Sequence, residues 1–484
     1  MTTTTTTITT TSLVSASDEK SVPTQRHPYQ SDGPIVEDVS TSSTDLDTVP
    51  LDREPEDARD YPDGGYGWII VLCGFLLNFS TWGVNTAFGI YFSFDLEDNY
   101  FPGAKDLDFA FIGSLSLSLA LAVAPLSNFL ARTYHWRYSL VLGTVCVVAG
   151  QILAGFSKQI WQLYLTQGIL FAVGLGLTMV VSGPIVTQWF GMKRAFAVGL
   201  VSAGSGGGAL FYSNITRLSL QSVGRQWACV INGCISAAAL LPSILFFKSR
   251  LFPAFVSNHS HHSARSTKLK VRFRAFQVSF YRNPGFICMC LWGTFISFAY
   301  AICIYSIPIY AVQGLGLTQK DGSTLQSLVA VGQLVGRPSM GFVLDRVGRF
   351  NGAIATTMFA SIACLAVWLV ADSFAVLAVA SLFLGASTGV FWSTCQALLT
   401  DLVGIRDMAS ALSVLWFSIV APATVSQPIA IWLINYSRDK LHRTGTAAFQ
   451  YAIVFAGVSY FAAAVSLYGT KRYRQGDWKL FRKF

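Results

Sequence analysis

Charge is what this chain has least of. Only 12% of its 484 residues are Asp, Glu, Lys or Arg, about half the ~25% of a typical soluble domain. Meanwhile 52% are hydrophobic and 14% aromatic. One or two water-facing cores cannot bury apolar surface in that proportion. The composition therefore argues against a soluble enzyme and against a nucleic-acid binder, despite a net charge of +9. Acid is missing altogether from residues 109–320, although Lys and Arg are frequent there. Metal-ligand spacing is missing too. The nine cysteines, at 73, 146, 229, 234, 288, 290, 303, 364 and 395, all lie in apolar stretches and read as small buried thiols. No nucleophile–base pair falls in those stretches, so no catalytic residue, metal or cofactor is expected. The start of the chain lacks the basic, apolar and small-residue regions of a secretory signal.

What the chain does have is a recurrence of apolar runs. Each is near the ~20 residues that cross a ~30 Å hydrocarbon layer. They fall at 67–92, 109–131, 138–156, 161–187, 194–216 and 226–247, then at 286–312, 323–343, 351–371, 374–399, 407–434 and 447–469. The expected organisation follows. Residues 1–64, with 13 acids and 4 bases, form a disordered acidic tail without an apolar run to order it. A six-helix bundle spans 65–247, a basic loop 248–285, a second six-helix bundle 286–470, and a basic tail 471–484.

Basic residues set the expected orientation. Residues 65–484 hold 30 Lys and Arg, of which 21 fall on the side that carries both tails and the central loop and 8 on the other. Both termini are therefore expected in the cytoplasm. The bases of the central loop suit anionic lipid, at about 1 kcal/mol each near the surface, so membrane lipid is a partner and nucleic acid is not. Sequons at Asn214 and Asn435 fall toward the outer side as glycosylation candidates. The thirtieth base, Arg337, lies inside an apolar run.

Three motifs stand in order along the chain. Before the first span is Asp63-Gly64-Gly65-Tyr66-Gly67-Trp68. The fifth span opens Trp189-Phe190-Gly191-Met192-Lys193-Arg194 and continues through Gly204 and Gly208. The eighth carries Gly336-Arg337-Pro338, then Asp345-Arg346-x-Gly348-Arg349. Together they resemble the signatures of the monocarboxylate porter family of the major facilitator superfamily, in its fungal branch. Asp63, Gly64, Gly65, Gly67, Trp68, Lys193 and Arg194 are the signature residues. The resemblance implies an all-α integral membrane protein of twelve transmembrane helices in two six-helix bundles, with one central cavity and alternating access.

Asp345, Arg346 and Arg349 sit at a helix end, where charges can pair in one state and separate in another; a plain positive-inside anchor is the alternative. The matching loop after the second span, Asn128 to Arg137, has no Asp–Arg pair. Gly204/Gly208 and Gly332/Gly336 are small-xxx-small pairs that let backbones approach. The resemblance sets these two helices face to face across the bundle interface, against the alternative of packing inside one bundle. The signature before the first span reads as an entry turn with interfacial aromatics.

Arg337 is the sharpest feature. A charge at membrane depth costs at least ~2.5–3.5 kcal/mol and usually faces a cavity or a partner. Its planar fork suits a carboxylate, and the resemblance assigns substrate carboxylate binding to this Arg; a snorkelling structural Arg is the alternative. Where proton-coupled members carry an Asp one turn earlier, this chain has Gln333. Where they carry a Lys in the first helix, it has Asn85 or Thr86. No Asp, Glu or His lies near the centre of a span, so proton coupling lacks a midplane carboxylate. Further candidates to line the cavity are Asn78, Trp82 and Asn85 on one face of the first span, Tyr300 and Tyr305 in the seventh, and Trp392 and Gln396 in the tenth.

The sequence thus points to a monomeric carrier of a small organic solute, monocarboxylate-like or aromatic, in the plasma membrane or an organelle membrane. A solute-binding sensor that signals through the acidic tail, and an exporter of a secondary metabolite, are the competing readings.

Overall fold

The computed structural model describes residues 61–97, 100–104, 106–250, 278–405 and 407–475. The acidic tail up to residue 60, the unit Met1–Glu54 within it, loop residues 251–277, Arg406 and the basic end 476–484 lie outside the described residues.

Among the described residues every regular element is helical. Eleven helices are long and apolar enough to cross a membrane. They are α1 (Gly67–Phe92), α2 (Phe111–Ala131), α3 (Trp136–Gly155), α4 (Ile160–Thr187), the long Arg194–Phe246, α7 (Pro284–Gly314), α8 (Lys320–Val347), α9 (Arg349–Trp368), α10 (Phe374–Val403), α11 (Met408–Asp439) and α12 (Gly445–Arg474). The 53-residue helix breaks at Gly224, where φ is 79° and ψ 174°, a region glycine enters without a Cβ clash. It is therefore two crossings, α5 (194–223) and α6 (225–246), and the described helices make twelve. Helices are what lipid demands, because each backbone N–H and C=O finds its partner inside its own segment.

Two large cores, with two small clusters beside them, hold the twelve together. One draws buried side chains from Ile70 to Phe247. The other runs from Phe286 to Leu467 and takes in Leu121, Ala124, Val180 and Ala195 from the first half, so the halves meet along an apolar seam. We call the end that carries the Arg194, Asp345 and Arg349 turns the basic face.

The glycine pairs do not work where the sequence reading put them. Gly204 and Gly208 press on the Phe75 and Phe79 carbonyls of α1, inside the first bundle. Gly332 and Gly336 press on Leu382 and Ala386 of α10, inside the second, and a Cβ on Gly332 would sit 2.5 Å from the Leu382 oxygen. The spacing specifies close approach but not which helix approaches. The bundle seam between α5 and α8 uses different glycines. A Cβ on Gly199 would lie 2.6 Å from the Arg337 carbonyl oxygen and one on Gly206 2.8 Å from the Leu334 nitrogen, while Gly341 abuts the Ala195 carbonyl.

Two other expectations change. The sequence reading counted Arg225 as a loop base on the face opposite the basic one. Helix continues past α1 to Glu97, however, which brings Asp95 to Arg225. The two pair at 2.7 Å with side chains only 1% exposed. Arg225 also donates to the Ala154 carbonyl at 2.7 Å and lies against the rings of Tyr100 and Phe101. The sequons are helical as well. The Asn214 side chain donates to the Leu210 carbonyl of its own helix at 2.8 Å, and Asn435 lies within α11 and lines a crevice. Both are exposed, though on helices rather than in the loops where acceptor sequons are usual.

Breaking the Asp95–Arg225 pair from one side leaves a buried charge without its partner, which costs about 3–5 kcal/mol. Asp95→Ala is expected to lower the thermal midpoint of the detergent-purified protein sharply. Asp95→Leu with Arg225→Met is expected to recover most of that loss.

Candidate functional site

At the basic face, the turn from Trp189 to Phe196 is held from two directions. Asp63, in the left-handed region at φ 47°, accepts from the amides of Gly191 at 2.9 Å, Met192 at 3.2 Å and Lys193 at 3.2 Å. Asp345, from the other bundle, accepts from Ala195 at 3.1 Å and Phe196 at 2.8 Å. The Ala195 and Phe196 amides lie in the first turn of α5 and those of Gly191 to Lys193 lead into it, where N–H groups lack helical partners and a carboxylate is a natural acceptor. The motif before α1 and the motif that opens α5 are therefore one structure, with the acid of the first capping the peptides of the second. Tyr61 packs on Gly191 and lies under the Arg194 guanidinium at 5.0 Å. Tyr66 donates to the Phe246 carbonyl at 2.7 Å.

A four-charge cluster lies beside this turn. Arg349 donates to Asp345 at 3.0 Å and to both oxygens of Asp401 at 2.9 and 3.1 Å. It also donates to the Gly191 carbonyl across the seam. Arg194 reaches Asp401 from the first bundle at 3.1 Å. All four side chains are at most 17% exposed. Two Arg stand against two Asp, Arg474 lies near enough for its charge to act on Asp401 and Arg349, and the cluster's bonds cross between the bundles. Arg346 does not join it; its guanidinium lies 4.1 Å from the Phe342 ring centre and is exposed. Asp401 was missed in the sequence, where a lone acid closing a span was its one signal. The loop between α2 and α3 works differently. His135 accepts from the Arg137 amide at 3.2 Å and caps α3. Burial, and then the Arg137 charge, hold its imidazole below the usual pKa.

Toward the middle of the membrane, Arg337 is 3% exposed. Its Nη1 donates to the Ser202 carbonyl at 2.8 Å and to the Ser205 hydroxyl. Its Nη2 donates to Gln333 at 2.9 Å and, weakly, to the Tyr300 hydroxyl at 3.5 Å. All four acceptors are neutral. Gly389 makes the seat, since a Cβ there would lie about 2.5 Å from Arg337 Nε. Ser202, Ser205 and Gly389 were not singled out in the sequence, although two serines three residues apart in an apolar helix mark one polar face.

Aromatics from both bundles gather next to Arg337. A π-helical turn at Phe79–Gly83 interrupts α1, a feature frequent at functional sites, and carries Trp82. Its ring lies 6.2 Å from that of Trp392 in the opposite bundle. Trp392 stacks on Trp416 at 5.3 Å and 14° and meets Tyr300 at 5.7 Å. The indole N–H groups of Trp392 and Trp416, the Thr388 hydroxyl and Arg337 Nε are buried without hydrogen-bond partners. Gln396 packs on Gly183 of α4, across the seam. The other candidates stay apart from this group. Asn78 donates to Gly74 in its own helix at 3.1 Å, Asn85 accepts from Ser116 at 3.2 Å, and Tyr305 is exposed with no hydrogen bond to Arg337. Away from the basic face, α2 and α11 leave a crevice of about 420 Å³ lined by Phe111, Ser114, Gln427, Trp432 and Tyr436, with Lys440 at its end. Gln427 donates to the Ala301 carbonyl at 3.5 Å, next to Tyr300.

The Major Facilitator Superfamily model matches residues 70–371 and 320–482. The chain belongs to the Major Facilitator Superfamily. It is 32% identical over 415 residues to the probable transporter MCH2 of Saccharomyces cerevisiae, covering 84% of this chain and 82% of that protein. It is 24% identical over 419 residues to monocarboxylate transporter 12 of Xenopus laevis, covering 82% and 88%. The fold is similar to that of the E. coli fucose:proton symporter FucP, with a TM-score of 0.63 at 16% identity over 84% of this chain and 98% of that one. The protein is thus a multi-pass membrane transporter of small solutes, and members of this superfamily are not enzymes.

Asp401 neutralises two guanidiniums at once. Asp401→Asn is expected to cost about 1.5–3 kcal/mol, the scale of a hydrogen bond to a charged group, read as a lower unfolding midpoint. Arg194→Gln added to it is expected to cost less than the sum of the two single changes, because both act on one network.

Proposed function

We propose that the chain carries a small organic anion, with its carboxylate on Arg337 and an apolar or aromatic body against Trp82, Tyr300 and Trp392. The observation that carries this reading is Arg337 itself. It is a buried cation whose protein partners are all neutral, so its charge calls for a counter-ion that the protein does not provide. Stacked indoles with few polar groups suit a partly apolar ligand. The name of the Xenopus relative, a monocarboxylate transporter, supports the same class.

On this reading the basic face is cytoplasmic by its Lys and Arg excess. The cluster of Asp345, Arg349, Arg194 and Asp401 is the gate on that side, and solute reaches the site from the opposite side. FucP is a proton symporter, but Gln333 is the residue one turn before Arg337 and no carboxylate touches the guanidinium. Facilitation or anion exchange fits this chain better than proton symport.

The test is uptake of radiolabelled benzoate, indole-3-acetate and lactate into proteoliposomes of the purified protein. Saturable uptake is expected for at least one of the three, falling tenfold or more in Arg337→Gln. Arg337→Lys is expected to retain part of it, since it keeps the charge without the fork. Undiminished uptake by Arg337→Gln sinks the proposal.

A further inference from the structure

Arg337 belongs to α8, but the acceptors of its Nη1 belong to α5 in the other bundle. The Ser205 hydroxyl donates to the Ser202 carbonyl at 2.9 Å, which turns a lone pair of its oxygen toward Arg337. The same Ser202 carbonyl also accepts from Nη1 at 2.8 Å. Nη1, the carbonyl and the hydroxyl thus close a triangle across the seam. Nη2 stays at home, on Gln333 and Tyr300. One nitrogen of the guanidinium ties the bundles together and the other serves only the second bundle.

A carboxylate takes a guanidinium best through two parallel N–H bonds. The guanidinium has two such edges. The Nε–Nη2 edge lies against the α10 backbone, because a Cβ on Gly389 would sit about 2.5 Å from Nε and 3.2 Å from Nη2. The edge left for an anion is Nη1–Nη2, and it includes the nitrogen held by Ser202 and Ser205. We propose that Ser205 is a positioning residue that couples solute binding to the seam: a carboxylate seated end-on must take Nη1 from it, and in doing so unties α8 from α5. The solute's part in this rests on reading Arg337 as its anchor.

The exchange is downhill. The present bonds run from a cation to neutral acceptors; a carboxylate adds a full opposite charge at the same distance, so it outcompetes a hydroxyl and a carbonyl. It also meets a requirement of alternating access. A ligand shifts a conformational equilibrium only if it interacts differently with the two states. An anchor that sat wholly in one bundle would bind equally well with the seam shut or open. Competition with Ser205 makes the shut seam the poorer binder.

The test reads the seam without relying on transport. Nitroxide labels are placed at Met192 and Val347, exposed on opposite bundles at the basic face, with the exposed native Cys234 replaced by Ser. Inter-label distances are measured by pulsed electron resonance in lipid nanodiscs without added solute. Ser205→Ala is expected to raise the long-distance fraction at least threefold, and Ser205→Thr, which keeps the hydroxyl, to restore the original distribution. Arg337→Gln, which also removes the bond to the Ser202 carbonyl, is expected to give at least the same rise, with no further change when Ser205→Ala is added to it, since Ser205 then has no tie to Arg337 left to lose. An unchanged distribution in Ser205→Ala, or additive effects in the double variant, overturns the proposal. If Ser205→Ala shifts the distances while Arg337→Gln leaves uptake of benzoate, indole-3-acetate and lactate intact, the anion reading fails and the tie stands.

Discussion

The close approach of α5 and α8 governs what the rest of the molecule can do. Gly199, Gly206 and Gly341 let the two backbones touch along much of their length, and a helix pair in lipid has little but such packing and a few polar bonds to hold it. That contact places Arg337 within reach of Ser202 and Ser205, and it brings Asp345 to the first turn of α5. The bonds of Arg337 to α5 and those of the basic-face cluster therefore depend on the same helix contact.

The turn from Trp189 to Phe196 is the other place where several demands meet. Its amides need acceptors, because a helix start leaves its first N–H groups unpaired. Asp63 supplies one from the same bundle and Asp345 the other from across the seam. The first contact lies within one bundle, whereas the second crosses the seam. Arg349 then links this turn to Asp401 and Arg194, so the cluster draws on both bundles.

Much of the architecture was legible in the residues. Twelve apolar runs report on hydrocarbon thickness, a local property that each segment carries alone. Arg337 stood out because a lone charge in such a run is costly wherever its neighbours lie. The glycine pairs were harder to read. Gly204 and Gly332 announced close contact, and the contact proved to be with α1 and α10 inside each bundle rather than between bundles. Asp95 and Arg225, 130 residues apart, look like separate end-of-helix charges until the extension to Glu97 brings them together. Of the cavity candidates, Gln333, Tyr300, Trp82 and Trp392 come together near Arg337. Asn78 and Asn85, on the same helical face as Trp82, turn their amides to their own bundle.

By itself the sequence determined the solvent, the number of crossings, the grouping of the bases at one set of span ends and the position of the one cation inside an apolar run, because hydropathy and charge act over a single turn or a single span. Only the tertiary structure decided which glycines form the seam, that Asp401 joins the basic-face cluster, and that the fork of Arg337 is shared between bundles. Those outcomes depend on which helix lies against which at ångström range, and a neighbour's identity is not written in the segment it touches.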